Sequence, residues 1–381
     1  MREQAVSLRC RRGRRRRRLD AALVVTMLFT VAVGCSSSDE ARPATTTTAA
    51  SATEPPLPPS SVPAPAGAAV TQPVQPTSGP GGSDLPHWDW RESSGGSGAD
   101  AWYVFEPMAP RPATAPLAIV MHGYFEYEGY GSMYELIRHT VLSGTIVIYP
   151  RWQTGEVEPC PGPFDPEPCL DAAVAGIEGA LAHLRADDSR VQPDVDRTSY
   201  FGLSFGGILT ANMANRWEQL DLPVPQAIFI DDIHDSGLDG PGEPALDDSM
   251  DGIPSDVLLE CHVGAEGVIA EDPTGGCNAL FPLLRHIPAG NKAIVLTRPD
   301  DHGRPALSSS HGVCAAQEGE ADAYDWGFCW KVWDALRSAV AEGDPPRHAI
   351  GDDPEHLSTG EWSDGTPVAP LEVRHDAPIQ P

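Results

Sequence analysis

The chain has 381 residues with 26 basic and 54 acidic side chains, and its formal net charge at pH 7 is −28. This acidic balance argues against nucleic acid or an anionic lipid surface as a direct binding partner, because like charges repel. The length exceeds that of one minimal domain, and a core of about 250 residues is a normal size for a single α/β domain.

Residues 1–35 are predicted to form a lipoprotein signal peptide. An arginine-rich run precedes an apolar segment from Ala21 to Gly34, which is shorter than the ~20 residues of an ordinary membrane span. The following "AVGC" resembles a bacterial lipobox, with Ala32 where leucine is preferred, and the resemblance implies cleavage before Cys35 and lipidation of that cysteine. A plain signal peptide is the alternative. We therefore expect an exported protein, anchored by lipid to the outer face of the bacterial cell membrane, or secreted.

Three further segments follow the signal peptide. Residues 36–85 are rich in Thr, Pro, Ala and Ser and cannot bury enough apolar surface to fold, so they are predicted to be a disordered tether. Residues 86–343 are predicted to be the folded domain. Residues 344–381 are rich in Pro and Asp and are predicted to be a loose tail or a strap on that domain. Removal of residues 1–35, with nine arginines and two acids, takes the net charge from −28 to −35.

Short apolar runs alternate with helical patterns along the predicted domain. We predict strands over 101–107, 117–123, 145–150, 198–204, 227–232, 256–264 and 292–299. We predict helices over 131–144, 169–188, 205–220, 278–287 and 324–342. Alternating buried strands and helices indicate an α/β fold, with a mostly parallel sheet and helices on both faces.

One serine lies at the junction of a predicted strand and a predicted helix. The sequence "GLSFGG" places Ser204 between Gly202 and Gly206. A G-x-S-x-G sequence in this context is typical of a sharp turn that exposes a nucleophilic hydroxyl above a sheet. The alternative is an ordinary tight strand–helix turn. We interpret Ser204 as a candidate nucleophile.

The hydroxyl would need hydrogen-bond donors for the negative charge that develops during acyl transfer. The backbone N–H groups of Tyr124, after "HG", and of Phe205, after the serine, are the expected oxyanion-hole donors. His122 is expected to fix its loop rather than to act as a base.

A serine also needs a base, and the chain offers two histidines after the last predicted strand. "DDHGRPALSSSHG" contains His302 and His311. We expect His302 to be the base and His311 to line the pocket. A metal site formed by both histidines with Asp300 or Asp301 is the alternative, but it lacks a third well-placed ligand, and we expect no metal.

The acid that steadies the base is expected to follow a strand between the serine and the histidine. Glu266, after the strand that ends at Gly264, is the first choice. The alternatives are Asp232 and Asp231, after the preceding strand, and Asp272. All of them are also compatible with ordinary loop carboxylates in so acidic a chain.

The motifs "MHGY", "GLSFGG" and "DDHG", in this order, resemble those of the α/β-hydrolase family. Residues 86–343 look like an exported bacterial lipase- or esterase-like member. The resemblance implies the α/β-hydrolase fold and ester hydrolysis through a Ser–His–acid triad without a cofactor. The family usually has an aspartate where this chain has Gly267, which leaves the acid open.

The expected function is therefore that of a serine carboxylesterase with a small-molecule ester substrate. An amidase or peptidase using the same triad, or a non-catalytic surface binding protein on a hydrolase scaffold, are the alternatives. Residues after the strands are expected to line the substrate pocket; besides His311 they are Phe125, Tyr127, Tyr130, Trp152 and Gln153. No amphipathic helix lies between Asp232 and Asp256, so we expect no large lid.

Six cysteines remain outside the signal peptide, and an even number in an exported chain indicates disulfides. Six cysteines allow fifteen pairings. We expect local pairs because each would bracket one short loop; they are Cys160–Cys169, Cys261–Cys277 and Cys314–Cys329.

Overall fold

The structure, a computed structural model, describes residues 69–156, 158–160, 165–234 and 246–381. These residues belong to one compact unit that spans 66–381. The expected signal peptide, the lipidation at Cys35 and most of the expected tether lie outside the described residues. Within the described ranges, no helix combines the length and the apolar character needed to cross a bilayer.

A sheet of nine strands forms the centre of the domain. The strands are β1 (Trp90–Gly95), β2 (Trp102–Pro107), β3 (Thr114–Met121), β4 (Ile146–Pro150), β5 (Gln192–Leu203), β6 (Pro225–Asp231), β7 (Leu258–Gly264), β8 (Lys292–Thr297) and β9 (Glu372–Arg374). Their order in the sheet is β1-β2-β4-β3-β5-β6-β7-β8-β9. The six strands β4, β3, β5, β6, β7 and β8 are parallel to one another, whereas β1, β2 and β9 pair antiparallel at the two edges. The predicted α/β class with a mostly parallel sheet is confirmed.

Helices connect most of the parallel strands. The helices are α1 (Tyr134–Leu142), α2 (Glu167–Arg185), α3 (Phe205–Asn215), α4 (Val268–Glu271), α5 (Cys277–Leu280), α6 (Trp330–Glu342) and α7 (Pro354–Leu357). A π-helical turn, Asp325–Cys329, leads into α6. The predicted helix over 278–287 is instead the short α5 followed by a 3₁₀ turn, Phe281–Leu283. Pro282 removes a backbone donor, which disfavours a longer helix at this point.

The alternation of side chains along the strands produces two apolar layers. In β3, Ile119 and Met121 contribute to one buried cluster, and Ala118 and Val120 contribute to the other. Successive side chains of a strand point to opposite faces, so a strand that is apolar throughout buries both faces. Helices α2 and α3 add side chains to the first cluster, while α1 and α6 add side chains to the second. The sheet is therefore covered on both sides, as predicted.

The segments on either side of the expected domain pack on it. The N–H of Gly81 donates to Asp334 Oδ2 of α6 at 2.8 Å. The N–H of Thr71 donates to Ser363 Oγ at 2.9 Å, and β9 pairs with β8. Residues 69–85 and 344–381 thus belong to the compact unit, beyond the expected limits of 86 and 343. Their polar composition concealed these contacts, because a few buried anchors such as Trp362 suffice to hold a Pro-rich strap.

Candidate active site

Ser204 stands on a strained turn between β5 and α3. Its backbone has φ 57° and ψ −125°, and the serine is the N-terminal cap of α3. A non-glycine residue in such a conformation costs about 1–3 kcal/mol, so the surrounding structure must hold it in place. The N–H of Ser204 donates to the backbone oxygen of Asp231 at 2.9 Å, which ties the turn to the end of β6.

The two glycines around Ser204 allow this turn to pack against its neighbours. A Cβ atom at Gly206 would collide with the backbone oxygen of His122, and a Cβ atom at Gly202 would lie 2.5 Å from the backbone oxygen of Gly206. Backbone atoms cannot move aside without loss of the sheet. The G-x-S-x-G spacing is therefore explained by close approach of strand, turn and helix.

His311, rather than His302, lies beside the Ser204 hydroxyl. Its Nε2 is 2.8 Å from Ser204 Oγ, and its Nδ1 is 2.7 Å from Asp232 Oδ2. In this arrangement the serine hydroxyl donates to Nε2 while the Nδ1–H donates to the carboxylate. A hydroxyl paired in this way can lose its proton to the imidazole when Oγ attacks an electrophile.

His311 and Asp232 differ in their burial. The side chain of His311 is 41% exposed, whereas that of Asp232 is fully buried. Asp232 has φ 42° and also accepts a hydrogen bond from the N–H of Val268 at 3.1 Å. The carboxylate of Asp232 is thus fixed by a backbone hydrogen bond in the protein interior, whereas one side of the His311 imidazole is open to solvent.

The pKa of His311 reflects both neighbours and burial. Partial desolvation lowers the pKa, but the hydrogen bond and the charge of Asp232 raise it by more, with further increases from Asp231 and Glu126. The net result is a pKa above the ordinary value of 6.5. The imidazolium that forms after proton transfer from a serine is therefore stabilised.

The expectation that His302 serves Ser204 is wrong in its geometry. His302 Nε2 lies 2.8 Å from Asp364 Oδ2, and both side chains of this pair are largely exposed. Asp300 and Leu307 exchange two backbone hydrogen bonds, of 2.9 and 2.8 Å, which close a turn around His302. That turn holds His302 against the C-terminal segment, with its ring 5.9 Å from that of Trp362, and the chain reaches Ser204 only after this turn.

The first-choice acid, Glu266, does not contact His311 through its carboxylate. Its Oε2 lies 3.4 Å from the N–H of Ser309, and its own N–H donates to the backbone oxygen of Ser309 at 2.9 Å. Glu266 therefore supports the loop before His311. Asp272 accepts hydrogen bonds from the N–H and hydroxyl of Thr274. Of the four carboxylates weighed, Asp232 is the one that reaches the histidine.

Gly267 explains why the acid follows β6 rather than β7. A Cβ atom at Gly267 would overlap the Oδ2 atom of Asp232. The missing side chain at the position where the resembled family has an aspartate provides the space that the Asp232 carboxylate occupies. Glycine at position 267 and an acid at position 232 are therefore linked, because the carboxylate of Asp232 needs the space that a side chain at 267 would fill.

Asp231, one residue before, belongs to a separate buried network. Its Oδ1 is 2.6 Å from His262 Nδ1, and His262 Nε2 is 2.8 Å from Thr297 Oγ1. The chain continues to Ser309 Oγ at 2.7 Å, while Asp231 Oδ2 accepts from the N–H of Cys314 at 3.3 Å. Ser309 and Cys314 flank His311. The network therefore fastens the loop of His311 on both sides.

Asp231, His262 and Cys314 also form the group of possible metal ligands among the described residues. Cys314 is bonded to Cys329, so its sulfur is not a thiolate ligand. Asp231 and His262 already satisfy each other. The alternative metal site required His302 and His311 together. In the structure His302 contacts Asp364, whereas His311 contacts Asp232.

The six cysteines form the three expected pairs. The Cα–Cα separations are 5.6 Å for Cys160–Cys169, 5.8 Å for Cys261–Cys277 and 5.5 Å for Cys314–Cys329. The last pair joins the loop of His311 to the turn that begins α6. Cross-links of this kind limit the freedom of the unfolded chain and of the loops they bracket.

The loop after β3 borders the other side of Ser204. His122 is buried, with Nδ1 2.8 Å from the backbone oxygen of Gly123 and Nε2 2.6 Å from that of Arg151. Its ring stacks on Trp152 at a centroid distance of 4.4 Å. Burial lowers the pKa of His122, and these contacts hold the ring within the loop, in keeping with the structural role expected for it.

The two residues expected to supply the oxyanion donors contact each other through their side chains. The rings of Tyr124 and Phe205 are in edge-to-face contact, with centroids 5.3 Å apart. Phe205 is the first residue of α3, so its N–H has no acceptor within the helix, and the helix dipole favours negative charge there. Tyr124 lines the cavity at Ser204. The assignment of these two donors stays a prediction.

A cavity of about 290 Å³ opens at Ser204. It lies at the carboxyl ends of the strands and is lined by Gly123, Tyr124, Glu126, Ser132, Leu203, Ser204, His311, Gly312, Ala315, Gln317 and Glu320. Its volume is near the lower limit for small-molecule sites, about 300 Å³. A larger cavity, of about 600 Å³, lies at the opposite end of the sheet, around Thr145, Arg197 and Arg337.

Five of the six expected pocket residues do not line the cavity. Trp152 and Gln153 are fully buried, and Gln153 Oε1 accepts from the N–H of Phe125 at 2.9 Å. Tyr130 donates to Glu92 at 2.8 Å, and the backbone oxygen of Tyr127 accepts from Arg151. These residues shape the loop after β3 from behind. His311 lines the cavity as expected, but in contact with the serine. The part of the expected lid-free segment from 235 to 245 lies outside the described residues.

Sequence reasoning missed His311 as the partner of Ser204 and missed the lining residues Glu126 and Ser132. For the acid, the available signal was Gly267, which leaves that position of the turn without a carboxylate. No such local signal distinguished His311 from His302. No family model matches this chain, and no curated protein matches it.

Proposed function

We propose that the protein is a serine hydrolase of the α/β-hydrolase fold, most specifically a carboxylesterase. The observation that carries this proposal is the continuous set of hydrogen bonds from Ser204 through His311 to the buried Asp232. The chain order of serine, acid and histidine, and the position of the serine on a strand-to-helix turn, are those of this family.

The reaction would proceed through an acyl-enzyme. Ser204 Oγ attacks the ester carbonyl as its proton passes to His311 Nε2, and Asp232 stabilises the imidazolium. The N–H groups of Phe205 and Tyr124 are proposed to receive the oxyanion. His311 then gives its proton to the departing alkoxide. Water, activated by the same histidine, attacks the acyl carbon and releases the acid and the free serine.

The alternative of a non-catalytic binding protein drew its support from the missing aspartate at Gly267. Asp232 supplies a carboxylate 2.7 Å from His311, which removes that reason. Cleavage of amides by the same triad would require protonation of an amine leaving group by His311. No described contact favours it over ester hydrolysis, and ester hydrolysis is the less demanding reaction.

Covalent labelling tests the proposal most directly. A fluorophosphonate probe is expected to label the wild-type protein once, and Ser204→Ala is expected to abolish the labelling. Ser338→Ala serves as a control, because Ser338 belongs to α6 and lines the cavity at the opposite end of the sheet. A folded wild-type protein that neither reacts with the probe nor hydrolyses a short p-nitrophenyl ester would contradict the proposal.

We also propose that the enzyme is exported and held at the outer face of the bacterial cell membrane through lipid on Cys35. The basic, apolar and lipobox-like stretches of residues 1–35 support this. Metabolic labelling with a palmitate analogue is expected to mark the wild type and not Cys35→Ser, and equal labelling of both would refute the anchor.

A further inference from the structure

The cavity at Ser204 contains two carboxylates, and His311 is the basic side chain among its described lining residues. Glu126 and Glu320 are among its lining residues, and none of the described residues that line it is lysine or arginine. The nearby Arg151 turns its Nε toward the backbone oxygen of Tyr127, at 2.9 Å. Substrates therefore meet two carboxylates next to the reacting serine.

Glu126 is held close to Ser204 by the loop after β3. Its Oε2 accepts a hydrogen bond from the N–H of Gly123 at 2.9 Å. A Cβ atom at Gly123 would lie 3.4 Å from Ser204 Cβ and 3.5 Å from Glu126 Cδ, which limits the separation of these two carbons to about 7 Å. The charge of Glu126 is also felt by His311, whose pKa it helps to raise.

The hydroxyl of Ser132 is a second polar group at the cavity. Ser132 Oγ is buried and makes no hydrogen bond within the described part of the chain, although Ser132 lines the cavity. A buried hydroxyl without a partner is costly, and binding of a polar ligand group removes that cost. Ser132 thus points to a ligand that brings a hydrogen-bonding or charged group to this wall.

The position of Glu126 has a direct consequence for catalysis. Attack of Ser204 on an ester turns the carbonyl oxygen into an anion, and a carboxylate within about 7 Å of the serine raises the energy of that anion. A substrate that carries a fixed positive charge beside its carbonyl offsets this repulsion. The same carboxylate would repel a substrate with a negative charge.

Resting on the proposed esterase function, we propose that the preferred substrates are esters with an ammonium group within a few bonds of the carbonyl. Glu126 binds the ammonium, and Glu320, an exposed residue of the cavity lining, adds long-range attraction. The ammonium is not consumed: the Ser204–acyl bond forms, the ester C–O bond breaks, and the alkoxide takes the proton from His311. Water then cleaves the acyl-enzyme.

Matched pairs of esters test the inference. Acetylcholine against 3,3-dimethylbutyl acetate places the charge on the alcohol side, and trimethylglycine methyl ester against methyl 3,3-dimethylbutanoate places it on the acyl side. Hydrolysis is followed by proton release at a pH on the upper plateau of the wild-type pH profile, with the uncatalysed rate subtracted. We expect kcat/KM for the charged ester of at least one pair to exceed that of its neutral partner by tenfold or more. The excess should shrink between 50 and 500 mM NaCl.

Glu126→Gln is the decisive variant because the amide oxygen can still accept from the N–H of Gly123. We expect it to reduce the cation preference to about twofold and to raise hydrolysis of the neutral esters severalfold. Glu320→Gln should have a smaller effect in the same direction. Glu128→Gln is the matched control, since Glu128 is an exposed acid of the same loop and does not line the cavity.

The outcomes separate the two proposals. Equal kcat/KM for charged and neutral esters in an active wild type, or an unchanged preference in Glu126→Gln, would overturn the inference and leave the esterase intact. A folded wild type without fluorophosphonate labelling or hydrolysis of any ester would overturn the esterase itself.

Discussion

Two histidines of the loop after β8 each contact an aspartate at nearly the same distance. His302 lies 2.8 Å from Asp364, and His311 lies 2.7 Å from Asp232. Asp364 is 40% exposed, whereas Asp232 is fully buried, and only His311 presents its other nitrogen to a serine. The comparison teaches that a His–Asp contact does not define an active site. Exposed pairs of this kind form readily on an acidic surface and contribute little, while a buried carboxylate holds an imidazole in one tautomer.

Removal of each histidine is the largest test of this comparison. His311→Ala is expected to lower kcat for a short p-nitrophenyl ester by about four orders of magnitude or more, because the base is lost. His302→Ala is expected to change kcat by less than twofold, since its partner is a solvent-exposed carboxylate. Both are measured by steady-state kinetics on protein whose fold is verified by circular dichroism. A large loss in His302→Ala with activity kept in His311→Ala would reverse our assignment.

Gly267 provides a sharper probe of the buried pair. Gly267→Ala would push a methyl group into the Asp232 carboxylate, so we expect kcat to fall by about a hundredfold, comparable to a displacement of catalytic groups by about 1 Å. Gly290→Ala is the matched control, because a Cβ atom there meets no other group. Equal activities of the two variants would show that Asp232 does not need the space above Gly267.

The smallest expected effect is a shift in pH dependence. The base must be neutral to act, and the pKa of His311 is raised above 6.5, so the acid limb of kcat/KM should have its midpoint above pH 6.5. Because Glu126 contributes to the increase, Glu126→Gln should move the midpoint to lower pH, and Glu128→Gln should not. A midpoint at or below 6.5 in the wild type would contradict the electrostatic picture of this site.

The raised pKa of His311 makes stability and activity depend on pH in opposite directions. A raised pKa in the folded state means that the protonated His311 is favoured by folding. The stabilisation by the Asp232–His311 pair is therefore complete below the unfolded-state pKa, about 6.5, and is lost as pH rises through the folded-state pKa. We expect the pH of greatest activity to lie above the range in which this pair stabilises the fold most.

The local sequence carried much of the architecture. Apolar runs such as 117–121 and 227–230 predicted the parallel strands, because a strand buried on both faces is largely apolar. The spacing of Gly202, Ser204 and Gly206 predicted the turn, because only glycine permits backbone to approach so closely. Short loops bracketed by cysteines predicted the disulfide pairs.

The histidine and the acid that serve Ser204 could not be predicted from the local sequence. His302 and His311 lie on one loop with similar neighbours, and Asp231, Asp232 and Glu266 all follow strands, so no local pattern separates them. The choice depends on contacts between residues far apart in the chain. Asp300 and Leu307 close the turn that removes His302, Gly267 leaves room for Asp232, and Asp231 fastens the ends of the His311 loop through His262 and Cys314.

The sequence by itself therefore determined the α/β class, the position of Ser204 at a strand-to-helix turn and the pairing of the cysteines, because these follow from local periodicity, glycine placement and loop length. The tertiary structure alone decided which histidine and which carboxylate meet Ser204, and that Glu126 lies beside it. Side-chain hydrogen bonds of under 3 Å depend on the directions of several strands and loops at once, and those directions are fixed only when the whole sheet is packed.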